Sequence, residues 1–526
     1  MDTIFYNGNI CTLDKAYPVC SAVGIKNGII TALGEDEEVL NLAGEETEKI
    51  DLAGAFAAPG FVDSHMHFIF YAMGKRNLDL SHVKSLKEAL ALCGEKARSA
   101  ERGKWVYGGN FNQDDWIEKR LPTREELDLI SKEIPIVMQR ACLHISVCNT
   151  KALELSGLAK ICPDGIVSEQ EQNAISEAMP LPTIEELKEL ILEGAEDVAK
   201  AGITEVHTDD FTVIPGDEGE LIMEAYRQLS AEGRLKVRIY EQCNLETASQ
   251  LQSFLDRGHR TGDDYGFFRV GPLKIITDGS MGAHTAAMLK AYRNAPETKG
   301  IYNYTDEELE TMVSMAQAYG MQTAIHCIGD GALEQALGAL RKAHYENPKA
   351  DLRHGIVHCQ IMSKEQQDWF RKLNLLAYIQ PVFVRYDMHI VEECVGEELA
   401  ASSYNWRRFA KLGVHQCGGS DCPVEYFDVL SNIYYAVTRK DPESGKCWHP
   451  ENGLTALEAL RCFTEEGAYA SRTEAVKGTL TVGKYADLVV LDKDILAIPP
   501  EEIRTTSVLL TMTGGRITYK AAAFQS

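Results

Sequence analysis

Eight short apolar runs divide the middle of this chain, and most close on a polar or charged residue. They lie at 61–67, 203–207, 235–240, 273–277, 322–326, 355–358, 375–379 and 414–421. Amphipathic stretches separate several of them. One spans 184–201 and ends at Gly202; another follows Thr305, with Asp306, Glu307 and Glu308 in its first turn. Strands that alternate with helices run parallel, because each helix carries the chain back to the same edge of the sheet. Eight such units can close on themselves, so the spacing predicts an α/β protein built on a TIM-type (β/α)8 barrel. In that architecture the side chains that do chemistry gather at the carboxyl ends of the strands.

The flanks read differently. Residues 1–56 alternate short β-like runs with the hairpin turns Asn7-Gly8 and Asn27-Gly28. Residues 477–526 have the same texture, with strand-like runs at 486–492 and 507–511 and a Gly514-Gly515 turn. Chain ends often lie close together, so these two segments are expected to complete one small β-sandwich domain. The barrel then occupies 57–476. It is interrupted after its first strand by an inserted domain at about 69–182, which holds an amphipathic stretch at 85–100 and strand-like runs at 105–107 and 134–138.

A net charge of -25 argues against nucleic acid or an anionic membrane as the main partner, since both call for basic patches. No apolar run approaches the ~20 residues of a membrane span. The first seven residues lack the basic start and apolar core of an export signal. The 14 cysteines form no C-x-x-C pairs. A cytoplasmic chain with reduced thiols is therefore expected, with Cys327, Cys359, Cys417 and Cys422 as packing residues rather than ligands.

Polar residues at the predicted strand ends form a set. The first strand, in Ala58-Pro59-Gly60-Phe61-Val62-Asp63-Ser64-His65-Met66-His67, carries two histidines two residues apart, hence on one face. His326 and His358 end the fifth and sixth strands, and Asp421 follows the eighth. Lys274 sits inside the fourth, where an unpaired ammonium would be costly. Imidazoles plus a carboxylate suit zinc and its neighbours. Each residue also has a plainer reading: packed or surface histidines, a turn-forming or helix-capping Asp421, a buried ion pair for Lys274. His354 begins the strand that His358 ends, so it is assigned to capping or packing. His207, Gln242, Asp278 and Gln380 end or follow strands and are candidates to line a pocket, and Trp116 and Tyr386 are candidate apolar walls.

These motifs resemble the metal-dependent amidohydrolase superfamily, and within it the amidohydrolase-3 group that includes N-substituted formamide deformylases. The resemblance rests on the strand-one motif above, Lys274-Ile275-Ile276-Thr277-Asp278-Gly279-Ser280, Ala324-Ile325-His326-Cys327-Ile328-Gly329-Asp330, Gly418-Gly419-Ser420-Asp421-Cys422-Pro423 and the return segment from Lys477 to Leu491. It implies two divalent metal ions, zinc first among them. His65, His67 and Asp421 would bind one, His326 and His358 the second, with Lys274 carboxylated by CO2 as the bridge. It implies a metal-dependent hydrolase that cleaves a non-peptide C–N bond, in a linear or formamide-type amide, by a metal-bound hydroxide. Asp421 would be catalytic as proton shuttle. His144 resembles a pocket residue lent by the inserted domain, beside His207, Asp278 and Gln380. The expected partner is a small-molecule substrate, with no nucleic acid or membrane, and the resemblance implies a homodimer. A cyclic amidase, deaminase or esterase on the same centre, and a non-catalytic binding protein, are the alternatives.

Overall fold

A computed structural model describes residues 1–524 except 102, 142–144, 169–170, 215, 218 and 349–350. The chain divides into two compact units, one made of 1–68 and 191–526, the other of 69–190.

The first unit contains the barrel. Its strands are β1 (Phe61–Met66), β2 (Ile203–Thr208), β3 (Arg238–Asn244), β4 (Phe268–Ile276), β5 (Thr323–Cys327), β6 (Gly355–His358), β7 (Leu376–Ile379) and β8 (Gln416–Gly418). They form one eight-stranded sheet in sequence order, every neighbouring pair parallel. The ends of the sheet meet just beyond β8, where the Asp421 N–H donates to His65 O (2.8 Å) and the His67 N–H to Cys422 O (2.7 Å).

Sequence and structure differ most at β3. The expected strand at 235–240 starts three residues later and runs on through Glu241, Gln242 and Asn244, all buried. The apolar pattern stops at Tyr240 because a barrel strand can point polar side chains inward near its exit, where partners satisfy them. β4 likewise begins five residues before the expected run.

The helices follow ordinary local rules. The one at Asp306–Tyr319 starts on Thr305, whose hydroxyl accepts from the Glu308 N–H (3.3 Å) while the Glu308 carboxylate accepts from the Thr305 N–H (2.9 Å). It stops at Gly320 in the left-handed region. Thr305→Ala is expected to lower stability by about 1 kcal/mol, read as a lower urea midpoint with unchanged slope.

Both chain ends build two sheets over a shared apolar core. A four-stranded sheet uses Thr3–Tyr6, Ala22–Lys26, Ile29–Gly34 and Glu48–Asp51. A six-stranded sheet mixes Asn9–Cys11, Val19–Cys20 and Phe56–Pro59 with Leu488–Leu491, Val508–Thr513 and Arg516–Lys520. Phe5, Ile25 and Ile50 pack with Leu488, Val490 and Leu510. Gly28, at φ 75°, lies so close to the other hairpin that a Cβ there would sit 2.6 Å from Gly514 O.

A buried ion cluster ties this region to the barrel. Glu205 on β2 accepts from Lys477 (2.7 Å), His207 (2.9 Å) and Ser471 (3.0 Å), and Arg238 pairs with Asp487 (3.1 Å). Burial would push the Glu205 carboxyl up, but the Lys477 ammonium and His207 outweigh it and hold the group far below its ordinary value.

The second unit is a five-stranded sheet in the order Ile166–Ser168, Ile145–Cys148, Ile136–Arg140, Val106–Phe111, Leu78–Asp79. Trp116 is buried in its core, stacked on Phe111 at 4.9 Å, which gives this aromatic a packing role. No helix among the described residues is long and apolar enough to cross a membrane.

Candidate metal centre

Strand register explains why distant residues meet. Ile276 on β4 lies opposite His326, and Cys327, the last residue of β5, lies opposite His358, so His326 stands one residue short of the level at which His358 ends β6. Lys274 starts two residues deeper, opposite Ala324, on the same face as Ile276, and its long stem makes up the difference. At the closing seam Gly419 lets the β8 exit touch β1; a Cβ there would sit 2.6 Å from His65 N. Asp63 fastens the same seam by accepting from the Ser420 hydroxyl (2.6 Å) and N–H (3.0 Å). Burial pushes the Asp63 carboxyl up to about 7 against those hydrogen bonds.

Four imidazoles and a carboxylate result. His65 Nε2 lies 3.3 Å and His67 Nε2 3.1 Å from Asp421 Oδ1. The candidate ligand atoms of these three residues lie within 4.8 Å of one another. His358 Nε2 is 2.9 Å from His326 Nδ1, and the His65 and His358 ring centroids are 5.5 Å apart. Asp421 (φ 61°) and His358 (φ 78°) both take the left-handed backbone that such residues rarely adopt. Strain of that kind persists only where surrounding contacts over-determine it.

Each ring is gripped from behind. His65 Nδ1 meets Gln242 Oε1 (2.7 Å), His67 Nδ1 meets Asp209 O (3.2 Å), and His358 Nδ1 meets Gln380 Oε1 (3.0 Å). His326 Nε2 faces Gly279 O (3.3 Å) and Asp278 Oδ1 (3.2 Å). Carbonyl and carboxylate oxygens only accept, so the outer nitrogen of a neutral ring carries its hydrogen and the inner nitrogen presents a lone pair. The His326 and His358 lone pairs then aim at each other across 2.9 Å, an arrangement that is repulsive without a positive charge between them. The donor set therefore fits a cation.

The electrostatics set His67 apart from His65 and His358. Burial opposes a charge on His67, yet Asp421 beside it carries the imidazole up to about 9. Burial would raise Asp421, yet His65 and His67 hold it well below the carboxylate range. Burial and then Lys274 push His65 down to about 4, and burial and then His326 push His358 well down. Lys274 itself pairs with Asp209 at 3.0 Å, both side chains almost fully buried.

His65, His67, Lys274, His326, His358 and Asp421 thus all lie at the carboxyl-terminal side of the barrel strands. The expected pocket residues fall elsewhere or serve as supports. His207 joins the Glu205–Lys477 cluster. Asp278 and Gln380 are buried behind His326 and His358. His144 lies outside the described residues. Cys327, Cys359, Cys417 and Cys422 are free and buried. His354 bonds to Gln317 (2.8 Å) and Thr323 (2.9 Å), away from the centre. Sequence reasoning missed Asp209. The rule that marked the other strand ends would have found it, since Asp209 directly follows β2.

The sequence profile of the amidohydrolase family matches residues 48–519. YtcJ of Bacillus subtilis is 28% identical over 538 residues, covering 99% of this chain and 100% of that protein. The N-substituted formamide deformylase of Arthrobacter pascens is 26% identical over 544 residues, covering 99% and 98%. The crystal structure of an uncharacterized metal-dependent hydrolase from Pyrococcus horikoshii superposes with a TM-score of 0.81 at 26% identity, over 95% of this chain and 99% of that one.

Proposed function

The chain belongs to the amidohydrolase family and is a metal-dependent hydrolase, and from that premise we propose that it cleaves the C–N bond of a linear, formamide-type amide of small size. The observation that carries the reading is the convergence of four imidazoles and Asp421 on one centre. The named activity of the Arthrobacter relative supports the substrate class.

His65, His67 and Asp421 would hold one divalent ion. His326 and His358 would hold a second, and Lys274, whose ammonium pairs with Asp209, would on carboxylation by CO2 add an anionic oxygen ligand. When bound, such ions supply Lewis-acid polarisation of a carbonyl oxygen and lower the pKa of water towards ~7. The chain's own residues do the rest. Asp421 is ionised and its Oδ1 lies at the centre, so it can take a proton from the attacking water and pass it to the departing amine nitrogen. Amines leave poorly as anions, so that delivery matters. Gln242, Gln380 and the Asp209 carbonyl keep the rings aimed inward.

The test is elemental analysis of protein purified with bicarbonate and without chelator, followed by amine release from a panel of N-substituted formamides, cyclic amides and esters. About two metal equivalents per chain and amine release that chelation abolishes are expected. Turnover confined to cyclic amides or esters would replace the substrate class. Metal uptake with no turnover anywhere on the panel would favour a binding protein.

A further inference from the structure

Of the four inward-turned rings, His326 has an outer nitrogen that meets both a side-chain carboxylate, Asp278 Oδ1 at 3.2 Å, and a peptide carbonyl, Gly279 O at 3.3 Å. His65 and His358 are backed by glutamine amides and His67 by a peptide carbonyl. A carboxylate behind an imidazole does two things that a neutral acceptor does less well. It fixes the hydrogen on the outer nitrogen, and it raises the electron density of the inner one.

Asp278 is itself rigidly held. Its Oδ2 accepts from the N–H groups of Ala287 (2.9 Å) and Gly329 (2.8 Å), and its Oδ1 from the N–H of Ile328 (3.1 Å). Its side chain is fully buried, so it offers no free face to a substrate. The same Oδ1 that holds Ile328 lies 3.2 Å from His326 Nε2. Ile328 is two residues past His326, so one carboxylate sets both the ring and the loop that follows it.

We infer that Asp278 is a positioning residue, which together with the Gly279 carbonyl holds His326 as the Nε2–H tautomer and so makes Nδ1 a strong metal donor facing His358. This rests on the metal-centre reading above and assigns Asp278 a role behind the centre rather than in the substrate pocket.

Two measurements test it. Zinc affinity is measured by titration for the wild type, Asp278→Asn, His326→Ala and the double variant. Asp278→Asn is expected to weaken one zinc site by about 10–100-fold. It should cost nothing further once His326 is already alanine, because the effect runs through that ring. An equal loss in both backgrounds would show that Asp278 acts only through the Ala287 and Gly329 backbone, and would overturn the inference, as would an unchanged affinity. The second measurement needs no variant. Neutron diffraction from deuterated wild-type crystals should place the His326 deuterium on Nε2; a deuterium on Nδ1 would overturn the inference even if the variants fail to fold. If the wild type bound no zinc at all, the metal-centre reading would fall, and a deuterium on Nδ1 of His326 would still overturn the role of Asp278 on its own.

Discussion

Asp421→Asn is expected to reduce amine release by about 10²–10⁴-fold while leaving much of the bound metal in place. The backbone of Asp421 is held independently of its side chain, through its N–H to His65 O at 2.8 Å. Asparagine is nearly the same size and keeps one oxygen to face His65 and His67. It lacks the charge that lets Asp421 Oδ1 collect a proton, and the native group is ionised because the two histidines hold its pKa well down against burial. Metal content and kcat measured on the same preparation separate the two roles. Unchanged turnover would remove Asp421 as the proton shuttle, and complete loss of metal would make it chiefly a ligand.

Lys274→Ala is expected to cost about 3–5 kcal/mol of stability in chelator-stripped protein, because it leaves the Asp209 carboxylate buried without its cation. Replacing both, as in Lys274→Met with Asp209→Asn, should recover most of that loss, since neither charge then remains. The sign of the pH response gives a second readout. Burial raises the Asp209 carboxyl, but Lys274, then His67 and His65, hold it below its ordinary value. A group whose pKa is lower folded than unfolded adds stability above the unfolded value, and that stability is lost as pH falls through the folded one. Without Lys274 burial weighs more against the charge, so this acid sensitivity should shrink or reverse. Urea unfolding at pH 7 and at about pH 3 measures both effects, because the native loss begins only below the ordinary carboxylate pKa of about 4. A loss below about 1 kcal/mol at pH 7 would show that Asp209 does not depend on an ammonium at position 274.

The strand ends were legible because alternation along a β-strand is a local property. His65 and His67 share a face whatever the rest of the chain does, and the barrel rule places His326, His358 and Asp421 at one end. β3 was misplaced for the opposite reason. Glu241, Gln242 and Asn244 read as the end of an apolar run, and only their burial beside neighbouring strands shows that the strand continues. His207 and Asp278 show the limit most clearly. Both follow or end strands and both looked like pocket residues. His207 is drawn to Glu205 and Lys477, a pair separated by most of the barrel sequence, and Asp278 turns to backbone donors at Ala287, Ile328 and Gly329.

By itself, then, the sequence determined the parallel (β/α)8 order, the mixed terminal sheets and the ligand-type residues that end the strands. These follow from periodicity and residue chemistry, which act over a few positions. Tertiary structure decided which atom stands behind each imidazole, that Lys274 meets Asp209, and that Gly419 and Asp63 close the seam around Asp421. Those are contacts between segments tens to hundreds of residues apart. Hydrogen bonds act over about 3 Å, so their partners are settled only when the closed barrel fixes which strands are neighbours and in what register.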